Sequence, residues 1–162
     1  MSELSEPTKV RYFASCLFKS EVEIESHLTS KFKIFDELTP NFNPLISYYE
    51  KEMGDQLERK IFIFDQIRER DFLIDAKIWA QNLEKNTSVQ GSRILNIDMG
   101  YIAKEQVLLA TGKPYSHRIY LNQGVFAELV YTYSDKTFKS LPWTYPDYQH
   151  PEKIAFFNKF RP

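Results

Sequence analysis

The run Lys60-Ile61-Phe62-Ile63-Phe64 is apolar on both faces of an extended chain, the pattern of a central strand rather than an edge. A strand of that kind has to be covered on both sides, and the segments around it supply the cover. Lys9 to Phe18 alternates loosely as a strand. Ser20, with Glu23 three residues on, has the form of a capping box and opens a helix running to about Lys31, with Val22, Ile24, Leu28 and Phe32 as its apolar stripe. His27 beside that stripe reads as a boundary histidine. Lys33 to Thr39 is a second strand, Asn41-Phe42-Asn43-Pro44 breaks the chain, and Ser47 to Gly54 reads as a short helix. After the central strand, taken as Arg59 to Phe64, Phe72, Ala76, Trp79, Ala80 and Leu83 recur at spacings of three and four, which makes Asp71 to Leu83 a helix. Arg93 to Asp98 is the fourth strand. This order, strand, helix, strand, strand, helix, strand, is that of the split βαβ or ferredoxin-like motif.

The rest of the chain extends that core into one mixed or antiparallel sheet, giving an α+β fold. Ile102 to Ala110 reads as a helix. His117 to Leu121 and Val125 to Tyr133 are hairpin strands joined by Asn122-Gln123-Gly124, with Gly124 in the left-handed bulge position of a three-residue loop. Ser134-Asp135-Lys136 turns into a further strand at Thr137 to Leu141, and Pro151 to Phe160 forms a short helix opening with proline. Between them lies Leu141-Pro142-Trp143-Thr144-Tyr145-Pro146-Asp147-Tyr148, whose prolines stiffen an extended strap and whose rings must cover the core or line a ligand surface.

Composition excludes several classes. The 162 residues suffice for one domain, expected over residues 9–162 behind a polar, disordered tail at 1–8. Lys plus Arg (21) nearly balances Asp plus Glu (22), which leaves no long-range field for polyanions and disfavours nucleic acid as a partner. No apolar run approaches the length of a membrane span and the first residues lack the apolar segment of a signal peptide, so a cytoplasmic location is expected. Cys16, alone and inside an apolar run, is a core residue with no disulfide or zinc partner.

Two places carry charge in apolar surroundings. Counting back from the hairpin loop sets Arg118 opposite Glu128 on one face, beside Tyr120 and Phe126. Such a pair can simply satisfy itself, or Arg118 can offer its fork of donors to a phosphate or carboxylate while Glu128 accepts from a hydroxyl. His117 should point to the opposite face, so no His-Arg-Glu unit follows from the spacing. Asp98 ends an apolar strand ahead of Gly100-Tyr101 and a helix, a turn where carboxylates and free backbone N–H groups meet ligands, or where Asp98 caps the helix; Asp98 and Tyr101 are therefore candidates. Glu52, Asp98 and Glu128 would hold a divalent cation only if the fold assembled them, so the spacing assigns no metal and no cofactor. Thr111-Gly112-Lys113 is similar to the end of a phosphate loop, but the earlier glycine is missing and Pro114 stands where magnesium would need Ser or Thr.

Four blocks in order, Tyr48-Tyr49-Glu50-Lys51-Glu52-Met53-Gly54, Asn96-Ile97-Asp98-Met99-Gly100-Tyr101, His117-Arg118-Ile119-Tyr120-Leu121 and Leu141 to Tyr148, resemble a prokaryotic family known as domain of unknown function 4416. The resemblance spans nearly the whole chain and implies a compact single domain without a set reaction, together with an occasional GTP-binding label. Three expectations result. The first is a module for a small anionic ligand, such as a nucleotide or phosphorylated metabolite, using Asp98, Arg118, Trp143 and Tyr145. The second is a protein-interaction or homo-oligomerisation module built on the aromatic strap. The third is a hydrolase or transferase with Asp98, His117 or Glu128 as acid or base.

Overall fold

Alternation along the first strand sorts the molecule into layers. In the computed structural model, which describes Met1 and residues 3–162, Val10, Tyr12, Ala14 and Cys16 point to one face of the sheet, while Phe13 and Leu17 pack on the other. The order of elements is β1 (Val10–Lys19), α1 (Ile24–Thr29), β2 (Ile34–Leu38), α2 (Ile46–Met53), β3 (Leu57–Arg68), α3 (Phe72–Thr87), β4 (Leu95–Ile102), β5 (Gln106–Thr111), β6 (Arg118–Asn122), β7 (Val125–Ser134), β8 (Thr137–Ser140) and α4 (Pro151–Lys159). Among the described residues the strands make one eight-stranded antiparallel sheet, ordered β2-β3-β1-β4-β5-β7-β6 with β8 added to β7. The fold is therefore α+β with the run at Lys60–Phe64 inside the sheet, paired on both sides. Residues 3–9 are exposed and without regular structure, although Thr8 accepts hydrogen bonds from Arg70; Ser2, within the expected tail, lies outside the described residues.

Each face receives its own cover. Ile24 and Leu28 of α1 and Leu73, Ala76 and Ala80 of α3 bury against the first face with Tyr12, Phe62, Phe64 and Ile97. On the second face, Phe157 of α4 and Tyr148 of the strap pack on Phe13, Ile61, Val130 and Tyr131. Beside them α2 closes a smaller cluster of Leu17, Met53 and Leu57. Among the described residues no helix is long and apolar enough to cross a membrane.

Several local expectations are corrected. Ser20 caps nothing: its backbone N–H donates to Gln56, the chain is still turning through Lys19–Val22, and the helix begins at Ile24 and ends at Thr29. The helix expected over Ile102–Ala110 is instead the end of β4 and strand β5. Val107 and Leu109 face the α4 core while Ala110 faces the α3 core, and a short run covered on both faces has the composition of a helix without its periodicity. The first hairpin closes with Asn122 opposite Val125 around a two-residue turn in which both Gln123 and Gly124 have positive φ. A register shift between Tyr120 and Asn122 then restores the expected pairing of Arg118 with Glu128.

Gly100 of β4 sits where the sheet leaves no room for a side chain. A Cβ there would fall on the carbonyl oxygen of Leu108 and on the ring of Phe13, the latter held edge-on against Phe157. Neither the backbone nor a packed ring can give way cheaply. Gly100→Ala should therefore lower stability by about 3 kcal/mol, read as a fall in the denaturant midpoint at unchanged slope.

Candidate functional site

The ladder between β4 and β5 is short. It pairs Gly100, Tyr101 and Ile102 with Leu109, Leu108 and Val107, whereas β4 stays paired with β1 from Leu95 to Ile102. The backbone of β4 ahead of Gly100 therefore has no strand beside it on the β5 side. Glu84 of α3 fills part of that vacancy: its Oε1 accepts from the Ile97 N–H at 2.6 Å. The opening that results is a cleft of about 380 Å³, reached by residues from α2, α3, the strap and both halves of the sheet.

A polar row crosses the sheet through this cleft. On the β3 side Arg59 donates to Ser15 Oγ at 3.1 Å, and Ser15 pairs across the ladder with Asp98. Beyond the gap, Leu109 is opposite Glu128, and Glu128 is opposite Arg118. Arg118 Nε donates to Glu128 Oε2 at 2.9 Å, its Nη1 to the Lys113 carbonyl at 3.0 Å, and its Nη2 to the Tyr145 hydroxyl at 3.0 Å. At the mouth Arg93 makes a two-pronged pair with Glu52, at 2.7 and 2.9 Å, and also donates to Asn96, whose amide in turn donates to Asp98 Oδ2. The arginine beside Glu52 holds that carboxyl below the usual range. Burial pushes Glu84 the other way, upward, although the Ile97 N–H opposes the shift.

The strap fixes the second wall. Thr144 is buried, its hydroxyl donating to the Val130 carbonyl at 2.7 Å, and Trp143 Nε1 donates to the Leu129 carbonyl, also at 2.7 Å. Asp147 is buried between two cations: Lys153 of α4 donates to its Oδ2 at 2.5 Å, and Arg59 stands 3.8 Å from the same oxygen. Loss of hydration outweighs the carboxylate and lowers the pKa of Lys153.

Of the expected residues, Asp98, Arg118, Glu128 and Tyr145 line the cleft. Asp98 does so from mid-strand and not from a strand-to-helix turn, so its reading as a helix cap is withdrawn. Tyr101 and Trp143 are not lining residues. Tyr101 packs edge-on against Tyr12 in the α3 core, and Trp143 stacks on His117 at 5.1 Å, outside the cleft. His117 lies in a turn ahead of β6, where strand alternation does not apply, and its Nε2 reaches Glu128 Oε1 at 3.3 Å. A His-Arg-Glu unit therefore exists, but both Glu128 oxygens are engaged within it. Glu52, Asp98 and Glu128 share the cleft without converging, and among the described residues no three His, Cys, Asp or Glu side chains are grouped to hold a metal ion.

Sequence reasoning missed Glu84 and Arg59 as cleft residues, although both leave a signal. Glu84 continues the buried spacing Ala76, Ala80, and Arg59 shares the alternation of Leu57, Ile61 and Ile63.

The sequence profile of the domain of unknown function DUF4416 matches residues 8–162. The chain belongs to this family. Neither the curated proteins nor the solved structures compared with the chain gave a match. The cleft lies wholly within the matched residues.

Two measurements check its construction. Glu84→Leu orphans the buried Ile97 N–H and should cost about 1–3 kcal/mol, while Glu84→Gln keeps an acceptor. Because burial raises the folded-state pKa of Glu84, its contribution is fully present below the ordinary glutamate value and is lost as pH rises through the raised one. Glu84→Gln should accordingly gain stability relative to the native chain as pH rises above the ordinary glutamate value, read from paired denaturant curves. Glu128→Gln leaves Arg118 buried without its counter-charge and should cost about 3 kcal/mol.

Proposed function

We propose that this chain is a binding module for a small anionic ligand, a nucleotide or a phosphorylated metabolite, held where the sheet parts between β4 and β5. One observation carries the reading: the polar row crosses the sheet at the gap, inside a cleft of the volume that small-molecule sites occupy. Most of the row is partnered within the protein, and the groups left with spare donors or acceptors line the cleft, where a ligand can be received. Lys77 and Lys113 also line the cleft and form no ion pair among the described residues, so their charge is available to an anion. Asp98 has Asn96 as a donor and, among the described residues, no cation within ion-pair distance, which suits it to accept from a hydroxyl or amine of the ligand. Tyr48 of α2 and Tyr145 of the strap are exposed rings at the rim that suit a planar base. A cytoplasmic location belongs to the same reading, as does a ferredoxin-like unit in β1 to β4, supported by the strand order β2-β3-β1-β4 with α1 and α3 on one face.

A second reading, a contact surface between copies or with another protein, is favoured by one feature. β6 is an end strand of the sheet, and Ile119, Tyr120 and Leu121 on it are exposed together with Tyr115 before it. The strap supports this reading less, because Trp143 and Tyr145 are hydrogen-bonded to their own chain.

A thermal-shift screen of nucleotides, phosphorylated metabolites and divalent ions tests the first reading, since a ligand of the native state raises the midpoint by mass action. A hit should lose at least about tenfold in affinity in Lys77→Ala/Lys113→Ala with the unliganded midpoint unchanged, a loss of about 1.4 kcal/mol. A screen in which no anion moves the midpoint contradicts the reading, and a concentration-dependent dimer by sedimentation then supports the second.

A further inference from the structure

The floor of the cleft holds two polar groups that the fold leaves unspent. Tyr148 is 3 % exposed, and its hydroxyl is fully covered yet has no hydrogen-bond partner among the described residues. Ser15 lies beside it and slightly favours its ionised form, but no bond of ordinary geometry joins the two, and Ser15 Oγ already accepts from Arg59. Arg59 is 7 % exposed and carries five N–H donors, of which Nη1 alone is bonded among the described residues, to Ser15. Its nearest carboxylate, Asp147, is 3.8 Å away and is held more closely by Lys153. The phenol, covered and with no acceptor, costs on the order of 1–3 kcal/mol, whereas the free nitrogens of Arg59 are not fully covered and open on the cleft. Both line the same cleft.

We propose that Arg59 and the Tyr148 hydroxyl form the anion subsite of the cleft, receiving a carboxylate or phosphate oxygen of the ligand. The guanidinium supplies planar paired donors and the charge, and the phenol supplies a third donor. Burial holds the Tyr148 hydroxyl far above the ordinary tyrosine range, so it remains a proton donor at any pH at which the protein is folded. Asp147 positions the subsite without neutralising it, since Lys153 shares its charge. Arg118, by contrast, has Glu128, Tyr145 and the Lys113 carbonyl as partners, and serves as a wall of the cleft. This subsite rests on the reading of the cleft as a ligand site and says which end of it takes the oxyanion.

Titrations of the ¹⁵N-labelled chain with inorganic phosphate and with acetate, at constant ionic strength, test it. The Arg59 Nε–Hε resonance, assigned by its disappearance in Arg59→Lys, should shift saturably with one of the two anions, and which one tells phosphate from carboxylate. Tyr148→Phe removes only an unpartnered hydroxyl, so it should fold with an unchanged midpoint and bind that anion about tenfold more weakly, the worth of one hydrogen bond to a charged acceptor. Saturable shifts confined to Lys77, Lys113 or the strap, with Arg59 still, overturn the subsite and leave the cleft reading standing. The absence of saturable shifts anywhere overturns both.

Discussion

The ladder between β4 and β5 ends at Gly100, and the Glu84 carboxylate takes the Ile97 N–H that the missing stretch of ladder leaves over. A backbone donor inside a sheet must find an acceptor, and a side chain from a helix packed on one face is an unusual one. It lets the second half of the sheet lean away without orphaning β4. The cost falls on Glu84 itself, whose charge is buried and whose pKa is raised. Arg93 offsets part of that cost at 3.7 Å and ties α3 to Glu52 on α2. The gap and its mouth are thus set by one connected group of charges, not by a loop free to close.

The opposite wall depends on a second buried group. Asp147 receives the Lys153 ammonium and stands near Arg59, which joins the strap to α4 and to β3. Tyr131 reinforces the junction by donating to the Tyr148 carbonyl, and Thr144 pins the strap to β7. Buried charges of this kind add little net stability compared with apolar packing, but removing one partner strands the other. Their value lies in position: the same contacts that fix the strap hold Arg59 and Tyr148 at the cleft floor with donors to spare.

Much of this was legible where interactions are local. The Arg118–Glu128 pair followed from counting along an antiparallel hairpin, and it held even though the turn contains two residues instead of three, because a bulge compensated. The double-sided apolar run located the central strand for the same reason. Failures came where periodicity was too short to decide or where distant segments met. Gln106–Thr111 offers six residues, too few to separate a covered strand from a helix, and that error also misplaced Asp98 at a turn. His117 was assigned a face by an alternation that begins only one residue later. The meeting of Glu84 with Ile97, or of Arg59 with Ser15 and Asp147, depends on how α3, β1, β3 and the strap assemble, and no local spacing encodes that.

The cleft depends on the parting of β4 from β5, and cross-strand nuclear Overhauser effects measure it directly. Hα and amide contacts should link Tyr101 with Leu108 and Gly100 with Leu109, and should be absent between Asp98 and Thr111, two steps further along the register of a continuous ladder. Contacts running on through Asp98 to Leu95 would mean a closed sheet, with no cleft for a ligand to enter.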